Sequence, residues 1–269
     1  MEVENSFDIS SARKSLLLNG FTIVPILNKN VIERIKDIIK LFIVEDQSYY
    51  DSLPRTHWHE LILEIQNKIN DEELLTELIS NQEILIKQII DTEAEKLGWV
   101  DVLKLRAIRP FKEGIAPDHV PFHRETFYAV SKQVRFQYNY WTPVSFAASS
   151  SGIRYIPKSH MILDEFIKVD VDNEHYAKVK RFSAGHSIGY PYMPKVISNF
   201  DKLTNEKDKL LNVPQGHSVL FSAMLIHGNG VNKNNQTRFS VDTGFIPANN
   251  ILKNKPLFAA KNNMHYRVR

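Results

Sequence analysis

The run PFHRETFY places His123 and Glu125 two residues apart. On an extended strand residues i and i+2 point to one face, so this imidazole and this carboxylate can hold one ion between them. A second imidazole is available in LFSAMLIHGNGVN, where His227 follows an apolar run and precedes Gly228 and Gly230, a setting that puts it at a strand end. Two imidazoles and one carboxylate leave three adjacent positions open on Fe(II), enough for a bidentate co-substrate and dioxygen. Eleven residues beyond His227 stands Arg238, in TRFSVDTGF, with Ser240 on the same strand face. A guanidinium binds a carboxylate through two parallel hydrogen bonds, which lysine can do only as a point charge. A lone His-x-Glu is more often exposed polar alternation, and a lone arginine is more often surface. The order makes the case: His-x-Glu, about a hundred residues, then His, then Arg one strand later.

Short strands must carry these side chains. After Gly98 the chain turns to β-type runs separated by Pro and Gly: VDVLKLRAIRPF, VPFHRETFYAV, KQVRFQYNYWTPV, GIRYIPKSH, HSVLFSAMLIHG and TRFSVDTGFIP. This pattern predicts a β-sandwich or barrel over residues 98–250. Residues 1–97 read mainly as helical support for it. Within them, residues 16–28, LLLNGFTIVPILN, predict a short strand around Phe21, Ile23 and Val24. Val31, Ile35, Ile38, Ile39 and Phe42 recur at helical spacing from 30 to about 44, after an Asn cap. Helices are also predicted over about 61–69 and 71–97, where Glu and Lys alternate with Leu and Ile. Residues 161–212 are long and mixed, and such a connection inside a domain reads as a lid-like insertion.

Other residues fall around this constellation. In VRFQYNYWTPV, Gln137, Asn139 and Trp141 share one face while Phe136, Tyr138 and Tyr140 share the other. If the polar face looks inward, Gln137 and Asn139 can hydrogen-bond a co-substrate or substrate; otherwise the aromatic face is core. Arg106, Arg109 and Arg154 can receive an anionic substrate group, with solvated surface charge the plainer reading of each, and Trp141 is placed with them. His57 and His59 also have i, i+2 spacing, but no third ligand follows, so they read as a polar loop beside Trp58.

Four segments in this order resemble the phytanoyl-CoA dioxygenase family of Fe(II)- and 2-oxoglutarate-dependent oxygenases. NGFTIVPILNKNVIERIK is similar to that family's start, FHRETF to its first metal motif and SGIRYIPKSH to its P-x-S-H segment. VPQGHSVLFSAMLIHGNGVNKNNQTRFSVDTGF is similar to its last core strands. The resemblance implies a mainly β chain forming one domain, a double-stranded β-helix (a cupin-like jelly roll) with packing helices outside one sheet. It implies Fe(II) on His123, Glu125 and His227, and 2-oxoglutarate on Arg238. It implies oxidation of a C–H bond in a small polar molecule, using dioxygen and releasing succinate and CO2. His160 is expected to fix its loop or line the site rather than bind metal. Three positions depart from the family pattern: Glu125 replaces the usual Asp, Gly216-His217 replaces Gly-Asp, and Lys158 replaces a common Gly.

Composition bounds the alternatives. With 34 Lys+Arg against 31 Asp+Glu, the net charge of +3 is too small to imply a nucleic-acid partner. The absence of cysteine removes disulfides, thiolate nucleophiles and zinc-thiolate sites, so any metal must use His and carboxylate. The acidic first residues lack the pattern of a secretory signal and no apolar run can span a bilayer, so a cytoplasmic protein without a membrane partner is expected. A metal-dependent hydrolase or isomerase, or a non-catalytic binding module, on a cupin-like barrel is the alternative, since His and Glu also bind Zn and Mn. A halogenase would need the Glu125 position vacated for chloride.

Overall fold

Asp8 and Gly20 bracket the first element. The Asp8 carboxylate accepts from the Ser11 N–H at 3.1 Å, and Gly20, at φ 82°, closes the other end by donating its N–H to the Leu16 carbonyl. Residues Ile9–Asn19 are therefore a helix, α1, with Ala12 and Leu16 buried one turn apart, and the strand expected over 16–28 shrinks to β1, Phe21–Pro25. The computed structural model describes residues 7–111, 118, 120, 122–127, 131–145, 152–170, 195–196, 207–251 and 266–268.

Four more helices follow β1. They are α2 (Lys29–Phe42), α3 (Gln47–Ser52), α4 (Arg55–Asp71) and α5 (Leu74–Ile90). α3 was not expected, and α5 ends at Ile90, where Asp91, at φ 54°, caps it by donating its N–H to the Lys87 carbonyl, so that residues 97–100 lie in a sheet instead. His57 and His59 lie on α4 and not in a loop. Among the described residues no helix is long and apolar enough to cross a membrane.

The strands are β2 (Leu97–Val100), β3 (Lys104–Ile108), β4 (Tyr138–Pro143), β5 (Ile153–Tyr155), β6 (Val169–Asp170), β7 (Lys195–Val196), β8 (Lys209–Leu211), β9 (His217–Ser222), β10 (His227–Asn229), β11 (Arg238–Pro247) and β12 (Tyr266–Val268). A major antiparallel sheet runs β1-β9-β4-β11-β2-β12, with β3 also pairing β11, and a minor sheet runs β10-β5-β8. The β6 and β7 strands pair with each other, and most of the expected lid, residues 161–212, lies outside the described residues.

The two faces of the major sheet have different neighbours. On one, Tyr140, Leu220, Val241 and Phe245 join Ile35, Trp58, Ile65 and Leu78 of the helices in one buried cluster. On the other, Trp141, Val219 and Phe221 meet Ile153, Tyr155 and Leu211 of the minor sheet. The helical layer is also keyed to β3 by polar bonds: Gln66 accepts from the Leu105 N–H at 3.0 Å, and Asn70 exchanges two bonds with Leu103 at 2.9 Å each. Those side chains satisfy backbone groups that pairing leaves over.

Candidate metal and co-substrate site

His123 and Glu125 do not share a continuous strand. His123 forms an isolated antiparallel bridge with His227, and Glu125 opens a 3-10 turn, Glu125–Phe127. The Glu125 N–H donates to the Ala223 carbonyl at 3.1 Å, so both residues are pinned to the segment that leads into β10. The outcome still matches what a strand would give. One ligand-type atom from each of His123, Glu125 and His227 lies within 4.8 Å of the others, and all three residues are buried.

The protonation pattern suits a cation. His227 Nδ1 lies 2.9 Å from the Leu225 carbonyl, which can only accept, so Nδ1 carries the hydrogen and Nε2 keeps its lone pair. Nε2 faces Glu125 Oε1 at 3.9 Å. Burial lowers the His227 pKa, against the opposing pull of Glu125, and favours the neutral ring that can bind a metal.

Arg238 and Ser240 lie on the inner face of β11. Arg238 is only 3% exposed, and burial followed by the charge of Arg106 lowers its pKa to about 10. Its Nε and Nη1, and the Ser240 hydroxyl, find no hydrogen-bond partner among the described residues. Buried polar atoms in that state cost about 1–3 kcal/mol each, and an anionic group bound against them would offset part of that cost. The Arg238 guanidinium stands 5.6 Å from the centre of the Trp141 ring. The site thus fits both a divalent metal and an anionic co-substrate.

The polar face of β4 looks inward. Asn139 donates to Glu125 Oε1 at 3.2 Å, and Gln137 donates to Asn139. Tyr140, on the opposite face, packs under the helices. Both faces of β4 are therefore buried.

The three arginines are placed differently. Arg106 bonds Asp242 at 2.8 Å, with Lys104 at 3.8 Å from the same carboxylate, and Asp242 lies one alternation beyond Ser240 on the inner face of β11. Burial opposes ionisation of Asp242, but Arg106 and Lys104 overcome it and hold its pKa below the usual value. Arg109 is committed to structure: it pairs with Asp118 at 2.9 Å and donates to the carbonyls of Tyr50 and Leu53. Arg154 reaches outward to Asp208 at 2.8 Å.

Several residues with a part in the site were not anticipated. Arg124, between His123 and Glu125 in sequence, points away from them and donates to Asp164 at 2.6 Å and to the Ile162 and Ser159 carbonyls. Ser159 in turn accepts from the Ile226 N–H at 2.8 Å, one residue before His227. His160 does fix its loop: Nε2 meets the Leu17 carbonyl at 3.0 Å, and its ring lies so near Gly20 that a Cβ there would come within 2.6 Å. Strand alternation alone points to Arg124 as facing away and to Asp242 as facing in. No local pattern marks Tyr266, whose hydroxyl donates to Gln137 at 2.7 Å.

No family model matches the chain, and no curated protein is similar to it in sequence. Solved structures share its fold. EvdO2 from Micromonospora carbonacea var. aurantiaca, complexed with 2-oxoglutarate, superposes with a TM-score of 0.57 at 17% identity, covering 92% of this chain and 94% of that one. The epimerase SnoN, in complex with Fe3+, alpha ketoglutarate and nogalamycin RO, gives 0.53 at 12% identity over 89% and 84% of the two chains. The non-heme alpha ketoglutarate dependent carbocyclase SnoK from nogalamycin biosynthesis gives 0.52 at 11% over 90% and 85%. The fold is thus the cupin-like one of these proteins, mainly antiparallel β with flanking helices.

Proposed function

We propose that this protein is an Fe(II)- and 2-oxoglutarate-dependent dioxygenase, akin to the phytanoyl-CoA dioxygenase family, that oxidises a C–H bond of a small polar molecule. The observation that carries this reading is the pairing of two features on one inner surface. One is the buried His123, Glu125 and His227 group; the other is Arg238 with Ser240, whose buried polar atoms lack partners among the described residues. The solved proteins of this fold that hold Fe3+ with alpha ketoglutarate, or 2-oxoglutarate, support it.

In this reading His123, Glu125 and His227 hold the metal, and Arg238 and Ser240 hold the distal carboxylate of 2-oxoglutarate through a bidentate fork and a hydroxyl. Gln137 and Asn139 line the metal-proximal end of that pocket. Trp141 backs the guanidinium and, with Arg106, is assigned to the substrate. The metal with 2-oxoglutarate and dioxygen supplies C–H oxidation coupled to decarboxylation to succinate. The protein's part is placement and exclusion of water.

Oxygen-free titration of 2-oxoglutarate into the Fe(II)-loaded protein should produce a metal-to-ligand absorption band. A metabolite screen with oxygen and ascorbate should then find a compound that stimulates succinate formation. A hydrolase or isomerase that does not use 2-oxoglutarate would give neither result, and a binding module would give no succinate.

A further inference from the structure

Glu125 has one more rotatable bond than an aspartate, so a metal centre built on it needs something to hold the carboxylate still. Three buried side chains do so in series. Asn139 Nδ2 donates to Glu125 Oε1 at 3.2 Å, Gln137 Nε2 donates to Asn139 Oδ1, and the Tyr266 hydroxyl donates to Gln137 Oε1 at 2.7 Å. The direction follows from the carboxylate end. An ionised carboxylate only accepts, so Asn139 turns its NH2 to Glu125 and its oxygen to Gln137, and Gln137 turns its own oxygen to the phenol. Burial, reinforced by the charge of Glu125, holds the Tyr266 pKa well above its usual value and keeps the phenol in its donating form. Room for the relay is specific too: a Cβ at Gly244 would lie 2.6 Å from Gln137 Nε2.

We propose that Tyr266, on the last strand, is a positioning residue for the metal centre. Acting through Gln137 and Asn139, it keeps Glu125 Oε1 turned toward His227 Nε2, which lies 3.9 Å away. This rests on the reading of Glu125 as a metal ligand. The chain segment of β12 is otherwise tied in through β2, by pairing of Tyr266 with Val100, so the hydroxyl can be removed without removing the strand.

The test is Tyr266→Phe in the full chain, with Co(II) as the probe. Affinity is measured by chelator competition, coordination by the Co(II) visible absorption, and folding by the melting temperature of the metal-free protein. Direct outer partners of metal ligands typically contribute 10- to 100-fold in affinity, so Tyr266→Phe, acting two side chains further out, should weaken Co(II) binding by up to about tenfold and alter the visible bands, while the metal-free protein stays folded with a melting temperature only a few degrees lower, because Gln137 Oε1 loses a buried partner. Gln137→Met, which breaks the relay at its middle, should do the same. In a Glu125→Asp background the shortened carboxylate leaves the reach of Asn139, so adding Tyr266→Phe should cost little more. Wild-type affinity and spectrum in both Tyr266→Phe and Gln137→Met would overturn the relay while leaving the metal centre standing. Failure of the wild type itself to take up Co(II) would overturn the metal centre, and the relay with it.

Discussion

His123 and His227 are backbone partners: the N–H of each donates to the carbonyl of the other, at 2.9 and 3.0 Å, and their rings stand 4.3 Å apart. The two imidazoles are held by main-chain bonds that side-chain substitution leaves in place. His123→Ala and His227→Ala should therefore keep a native circular dichroism spectrum and lose stoichiometric Fe(II) binding. With Fe(II) at about a hundred times its Kd, the wild type should gain about 2.7 kcal/mol of stability and neither variant any. Full iron occupancy in one of them would remove that residue from the ligand set.

Arg238 should act on the co-substrate and not on the metal. Truncating one partner of a buried charge-assisted pair costs about 2–5 kcal/mol, on the order of thirty-fold to several-thousand-fold in affinity. Arg238→Ala should raise the 2-oxoglutarate requirement by that much with Fe(II) binding near normal. Arg238→Lys should recover only part, because the fork is lost. Wild-type 2-oxoglutarate affinity in Arg238→Ala, read from the metal-to-ligand band, would sink the assignment.

Asp242 should make stability depend on acid pH. Its folded pKa lies below the ordinary carboxylate value of about 3.9, so its contribution is present above that pH and is lost as pH falls through the folded value. Asp242→Asn should cost about 3 kcal/mol at neutral pH, the low end for breaking a buried ion pair because Arg106 is partly exposed. The gap to wild type should begin to narrow as pH falls below about 4 and go on narrowing through the folded pKa. A denaturation series over pH in which the gap stays constant would contradict this.

Arg124 should secure the start of the 161–212 segment to the metal motif. It is fully buried, and its donors meet one carboxylate and two carbonyls that water cannot easily replace. Arg124→Met should destabilise by about 3 kcal/mol and speed hydrogen exchange over residues 159–166. Unchanged exchange there would show the clasp to be dispensable.

The sequence determined the parts of this protein that depend on strand alternation and chain order. Arg238 and Ser240 share an inner face because they are two apart on β11, and the switch to short β runs after Gly98 marks the sheets. The His-x-Glu spacing brought two candidate ligands together even though no continuous strand carries them, because the bridge to His227 and the bond to Ala223 hold them instead. Those bonds join residues about a hundred apart, and local pattern is blind to them. α1 escaped for a local reason: its Leu16–Leu18 run looks strand-like until the nearby caps Asp8 and Gly20 are seen to close the helix around it. Which face of β4 turns inward was decided by what lies across from each: helices cover Tyr140, and the metal motif meets Asn139. Arg109 could be read from the sequence as a substrate residue or, more plainly, as surface charge, and neither reading foretold that the fold sets Asp118 and two carbonyls around it. Tyr266 meets Gln137 across 129 residues. A hydrogen bond at that separation exists only because β2 and β11 place the last strand beside the site, so only the tertiary structure could disclose it.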